Sequence, residues 1–176
     1  MKITLIAAIT ADGFIADENG NGNFSSEEDK LHLREFLHNN SVDGFILGRK
    51  TASEFAAKLA HKSSFVFTRN VNLNDTHNVM YCRDVAEFAA KTKHLKQSEH
   101  SPHFALLGGG EIYNYFLNNK LVDKMLITIE ENITFRNGIS LNLAKHLPDF
   151  NQVHVLQLSG TTKVIVYDTP HSPKRL

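Results

Sequence analysis

The sequence predicts an α/β fold: a mostly parallel central sheet of about eight strands, helices on both faces, and a C-terminal antiparallel hairpin. Three observations carry this. Short apolar runs alternate with helical patterns, as they do in βαβ units. The runs at 2–10 and 103–108 are almost continuously apolar, which marks strands covered on both faces. The last two runs, 152–159 and 161–168, are separated by Gly160 alone, a link that suits only a hairpin.

The first strand, 2–10, carries Ile3, Leu5, Ile6, Ala7, Ala8 and Ile9. A loop over 11–24 follows, with Gly13, Gly20 and Gly22. The first helix spans 25–39: Ser25 and Glu28 have capping-box spacing, and Leu33, Phe36 and Leu37 share a face. A strand at 42–48 leads to a weaker helical pattern at 50–59, then to strands at 63–68 and 78–82. Asp84 caps a third helix running to about Gln97, with Glu87 at the matching position. The polar stretch 91–102 reads as a helix end and surface loop. The strand 103–108 runs into Gly108, Gly109 and Gly110. A helix follows, with Ile112, Phe116 and Leu117 on one face and Asn118–Asn119 at its end. The strand 123–131 precedes the hairpin. Residues 1–170 are expected to form one domain, and 171–176 a mobile tail.

Composition excludes several classes. The chain has 176 residues, 41% hydrophobic, and its 19 Lys and Arg balance 19 Asp and Glu. Zero net charge speaks against a nucleic-acid or membrane surface. Cys82 is the sole cysteine, so an internal disulfide is impossible. The N-terminal apolar run is too short for a signal peptide, and no run approaches a membrane span. A cytoplasmic protein is expected. The ten histidines show no metal-ligand spacing, and no nucleophile elbow is present, so no metal is expected.

Three strand ends carry candidate chemistry. In "ALLGGGEIYNYFL" a strand ends in three glycines at a helix start. Such a junction offers unpaired N–H groups and lets an anion approach the backbone; the bland alternative is a tight turn. In "FILGRKT" a strand ends at Gly48, and Arg49, Lys50 and Thr51 open a helix. They suit a phosphate monoester or form a solvated basic turn. In "FVFTRN" a third strand ends in Thr68 and Arg69. If strand order follows sequence, Arg49 and Arg69 flank one dianion.

Taken together, "ITLIAAITADGFIA", "LGRKT", "FTRN" and "LLGGGEIYNYFL…VDKMLITI" resemble the dihydrofolate reductase superfamily over residues 2–168. "DGFIA…SSEEDKLHLREF…VDGFILGRKT" is most similar to the reductase domain of the bacterial riboflavin deaminase-reductases. The resemblance implies an NADPH-dependent oxidoreductase. Arg49, Lys50, Thr51, Thr68 and Arg69 then take the adenosine 2′-phosphate side. Gly108, Gly109, Gly110, Glu111 and Ile112 cradle the pyrophosphate, with a cis Gly108–Gly109 peptide. Gly48 belongs to the cofactor site as well, Ala8 and Ile15 line the nicotinamide pocket, and 11–24 corresponds to the mobile active-site loop. A homodimer is implied as well.

Reduction also needs a proton. In dihydrofolate reductases an acid on the first helix supplies it, and here Glu27, Glu28 and Asp29 qualify. Acids in a first turn also simply complement the helix dipole. Asp29 lies one turn before Leu33, and Thr128 matches a family threonine beside the acid. Three readings stand: reduction of a pyrimidine riboside phosphate, reduction of a pteridine, or NADP binding without catalysis. The chain lacks the active-site tryptophan of dihydrofolate reductases. It also lacks the riboflavin enzymes' loop lysine, where Phe14 stands, and their acid-proline segment. Lys58, His61 and Lys62 remain as partial substitutes for a substrate-phosphate site.

Overall fold

The computed structural model describes residues 1–38, 42–55, 57–70, 72–93 and 101–170. The elements in chain order are β1 (Lys2–Thr10), β2 (Phe14–Asp17), α1 (Glu27–His38), β3 (Gly44–Gly48), α2 (Arg49–Phe55), β4 (Ser63–Phe67) and β5 (Val79–Cys82). They continue with α3 (Val85–Lys91), β6 (His103–Leu106), α4 (Gly110–Asn118), β7 (Lys124–Glu130), β8 (Gly138–Ser140) and α5 (Leu143–His146). A 3₁₀ turn (Leu147–Asp149), β9 (Asn151–Gln157) and β10 (Thr162–Asp168) end the chain.

Eight strands form one sheet in the order β5-β4-β3-β6-β1-β7-β10-β9. The six from β5 to β7 run parallel, and β10 pairs antiparallel with both β7 and β9. All eight are the strands expected from the sequence. Strand alternation divides the core between two faces. Ile46, Phe65, Phe67, Phe104 and Leu106 join Phe88 of α3 and Tyr113, Phe116 and Leu117 of α4 on one side. Phe45, Leu47, Val66 and Ala105 meet Leu37 of α1 and Ala52 of α2 on the other. Helices therefore cover both faces.

The structure also departs from the sequence reading. The cap of α1 is Ser26, not Ser25: its Oγ accepts the Asp29 N–H at 3.2 Å. Glu28 therefore does not complete a capping box. The Asp84 carboxylate caps α3 as expected, accepting the Glu87 N–H at 2.9 Å. Helix α2 stops at Phe55, and 57–60 are turns, where a helix to 59 was expected. Its seven residues bury only Ala52, too little apolar face to extend it. Within the expected loop 11–24, residues 14–17 are strand, paired antiparallel with β8. A Cβ on Gly138 would lie 2.2 Å from the Ala16 carbonyl oxygen, so glycine is needed in that ribbon. The third helix, expected to run to about Gln97, ends at Lys91 with Thr92 as its C-cap; the expected end of the first helix (Asn39) and the tail 171–176 lie outside the described residues.

Candidate active site

Strands β4, β3, β6 and β1 are neighbours and parallel, so their C-terminal ends open on one side. A cleft of about 1820 Å³ lies there. Ala8, Ile15, Asp29, Gly48, Arg49, Lys50, Thr51, Thr68, Arg69 and residues 108–112 all line it.

The glycines bring two strand ends together. The Gly48 N–H donates to the Gly108 carbonyl at 2.5 Å. A Cβ on Gly48 would lie 3.0 Å from Ile112 Cγ1 and 3.3 Å from the Gly109 nitrogen. Gly108 has φ +112° and sits against the Tyr113 ring, and the Gly108–Gly109 peptide is cis. Gly109 caps α4, and a Cβ there would meet only Thr51 Oγ1, at 3.5 Å. The N–H groups of Gly110 and Glu111 donate to no acceptor among the described residues. An open approach and two unpartnered donors at a helix start fit a dinucleotide pyrophosphate.

The cations stand around this turn. Arg49 is exposed and has no partner among the described residues. Arg69 Nη2 lies 3.4 Å from Glu111 Oε2, both ends exposed, a pairing worth at most about 1 kcal/mol. Arg69 is therefore free to take a better anion. Lys50 reaches elsewhere: its Nζ donates to the Gly20 carbonyl at 3.1 Å and ties α2 to the active-site loop.

The other half of the cleft holds the acid. The register of β1 on β7 sets Ala8 beside Thr128. The Thr128 hydroxyl donates to Asp29 Oδ1 at 2.6 Å, and the Asp29 residue is 6% exposed. Asp29, Leu33 and Leu37 follow one helical face, so the face that packs α1 on the sheet carries the carboxyl inward. Burial raises the proton affinity of Asp29. Hydrogen bonds from Thr128 and Ser25 partly offset this, the charge of Glu130 adds to the rise, and His32 opposes it. The other two acids point away. Glu28 is exposed and off the cleft wall, and Glu27 accepts from Lys30 at 2.7 Å. Thr128 lies behind Asp29 rather than on the wall.

The far end of the cleft is lined by Arg34, His38, Lys58 and His61. The His38 and His61 rings stack at 4.5 Å and 9°. Lys62 does not join them: its Nζ donates to the Leu37 carbonyl at 3.3 Å and caps the end of α1. Several cleft residues were not singled out from the sequence, among them Arg34, Tyr113 and Lys30. Arg34 was signalled by its place one turn after Lys30. Tyr113, whose hydroxyl donates to the Ile6 carbonyl, lies three residues after Gly110 on α4. Lys30 itself was hidden by its pairing with Glu27.

Fold and site define an α/β protein in which a glycine turn at a helix start and a buried carboxylic acid line one cleft. The family model for dihydrofolate reductase matches residues 2–149. The chain belongs to the dihydrofolate reductase family. Among curated relatives, the uncharacterized protein YwjB of Bacillus subtilis is 28% identical over 172 residues, covering 91% of this chain and 90% of its own. YyaP of the same organism is 26% identical over 144 residues, covering 73% of each. Dihydrofolate reductase from Enterococcus faecalis, complexed with NADP(H) and RAB-propyl, superposes with a TM-score of 0.71. It is 15% identical, with 97% of each chain covered. The deaminase/5-amino-6-(5-phosphoribosylamino)uracil reductase of Thermotoga maritima also gives 0.71, at 16% identity. There 96% of this chain spans 56% of that one. Fold and family are those of oxidoreductases, and no helix among the described residues is long and apolar enough to cross a membrane.

Proposed function

We propose that the protein is an NADPH-dependent reductase of a C=N bond in a pterin-like or pyrimidine-like heterocycle, with Asp29 as the proton donor. The observation that carries this is the buried Asp29 carboxyl, which lines the cleft along with Ala8 and Ile15 and accepts the hydroxyl of Thr128 behind it. A carboxyl whose proton affinity is raised by burial can give a proton near neutral pH. NADPH, when bound, supplies the hydride. Gly108, Gly109, Gly110, Glu111 and Ile112 hold its pyrophosphate, while Arg49, Thr51, Thr68 and Arg69 hold the 2′-phosphate. Lys50 keeps the loop over the cofactor, and Gly48, Ala8 and Ile15 bound the nicotinamide.

A second reading has its own support. Arg34, Lys58 and His61 at the far end of the cleft suit a substrate carrying an anion, as a pyrimidine riboside phosphate does. Loss of Lys62 to helix capping leaves that site thinner than the riboflavin-type resemblance implies, and places this reading second. The test is NADPH oxidation across a panel of dihydropterins, dihydrofolate and phosphorylated pyrimidine ribosides. Turnover of none of them, with NADPH still bound, would leave a binding protein without this activity.

Two further expectations belong here: a single domain over 1–170, acting in the cytoplasm, and a homodimer. Every residue of the edge strand β9 is exposed, including Val153, Val155 and Leu156. An apolar edge of this kind invites pairing with a second copy. A single-chain mass in sedimentation would remove that expectation.

A further inference from the structure

A second buried acid stands behind the first. Glu130, the last residue of β7, is 1% exposed. Its Oε1 accepts the Ser26 N–H at 2.7 Å, and its Oε2 accepts the Thr162 hydroxyl at 2.7 Å. Thr162 lies directly opposite it on β10. Ser26 is the cap of α1, and its own Oγ receives the Asp29 N–H. No cationic side chain pairs with Glu130 among the described residues. A buried carboxylate in that position is costly unless its hydrogen bonds and the positive end of a helix compensate. Here the start of α1 provides both.

Thr128 and Glu130 are two residues apart on one strand, so their side chains share a face. That face grips the first turn of α1 twice: Thr128 at the Asp29 side chain, Glu130 at the Ser26 backbone. The groups facing Asp29 are Thr128 and Glu130 from β7, Ser25 ahead of α1, His32 from α1 itself and Tyr113 from α4. Of these, Glu130 is the acid able to place a second negative charge beside it.

We infer that Glu130 is a positioning residue: through its bonds to the Ser26 N–H and the Thr162 hydroxyl it fixes the first turn of α1 and sets the surroundings of the Asp29 carboxyl that this turn carries. The inference rests on Asp29 being the proton donor for its consequence in catalysis, but not for its test. A like charge nearby disfavours ionisation of a carboxyl. Removing it therefore lowers the pH at which Asp29 gives up its proton.

The substitution is Glu130→Gln, which keeps the shape, an acceptor for Ser26 and a partner for Thr162. The measurement is the titration midpoint of the Asp29 side-chain carboxyl, followed by carbon-detected NMR in the wild type and the variant. The midpoint is expected to fall by about half a pH unit or more. An unchanged or higher midpoint in a folded Glu130→Gln protein overturns the inference. Thr162→Val provides the control. It removes one hydrogen bond to Glu130 without removing its charge, so the midpoint should stay near the wild-type value there, whereas a purely structural role would move it in Thr162→Val and not in Glu130→Gln. Where the enzyme turns over a substrate, the alkaline limb of kcat moves with the NMR midpoint, and the dissociation constant for NADPH does not change. Absence of turnover would count against the reductase reading, while the titration would still decide the role of Glu130.

Discussion

Replacing Asp29 with Asn separates the chemistry of the site from its packing. Asparagine is nearly isosteric, and its carbonyl oxygen still accepts the Thr128 hydroxyl that now donates at 2.6 Å. What is lost is the proton. Positioned acids contribute roughly 10²–10⁴-fold to proton-coupled steps, so kcat should fall by about that factor. Stability should move the other way. Burial raises the Asp29 proton affinity in the fold, so the folded state holds its proton at a pH where the unfolded chain has released it. The fold is then penalised as pH rises from the unfolded value, about 3.9, through the folded one. Above that window the Asn variant should melt at the wild-type temperature or higher, and at acid pH this advantage should shrink. The assays are NADPH oxidation with the best substrate of the panel between pH 5 and 9, thermal melts over the same range, and NADPH titration. Wild-type turnover should decline with rising pH, and the residual rate of the variant should lack that decline. Wild-type kcat in Asp29→Asn, or the same pH dependence in both proteins, would refute the assignment of Asp29 as the acid.

Three other outcomes follow from particular contacts. Arg49→Ala should weaken NADPH about tenfold or more and leave NADH nearly unchanged, because a charge-assisted hydrogen bond is worth roughly 1.5–3 kcal/mol; equal losses in calorimetry would show that Arg49 does not read the 2′-phosphate. Gly109→Ala should fold normally, since its methyl meets only Thr51 Oγ1 at 3.5 Å, yet lose most NADPH affinity; normal affinity would remove the pyrophosphate from this turn. His146 is buried, its Nε2 has no partner among the described residues, and burial holds its proton affinity below the usual value. The unfolded chain therefore takes up the proton first, and stability is lost as pH falls below about 6.5. His146→Leu should lose less melting temperature than the wild type between pH 7.5 and 5.5, and parallel losses would exonerate His146.

The part of the cleft lined by glycines and cations was legible in the sequence because its determinants are local. A strand end, a glycine and a cation written together stay together, as in Gly48–Arg49 and Thr68–Arg69. The strand order then brought the pieces together at the C-terminal ends of neighbouring parallel strands. The eight main strands were legible for the same reason: their apolar runs are long enough to declare themselves. Strands β2 and β8 were not, since residues 14–17 and 138–140 gain their pairing only from each other across the fold. The three acids of α1 show a sharper limit. Glu27, Glu28 and Asp29 are equivalent as first-turn acids, and rotation about the helix axis alone decides between them. The cap settled that rotation, and it lies at Ser26 rather than one residue earlier.

That one-residue difference bears on how the site is held. With the cap at Ser26, the Ser26 N–H faces β7 and finds Glu130, while Asp29 turns into the cleft and finds Thr128. A helix whose first turn is fixed only by its own cap is free to fray. This one is fixed by a strand that is itself paired on both edges, to β1 and β10. Both bonds would be expected to break together if β7 shifted, because they come from residues two apart on one face. A buried acid is costly to the fold when ionised, and a mobile one would let water in and lose its raised proton affinity. The second carboxylate therefore serves the first in two ways at once. It holds the turn that keeps Asp29 dry, and its charge adds to what burial does. Removing the charge while keeping the shape, in Glu130→Gln, separates those two effects, and the titration midpoint of Asp29 reads the second alone.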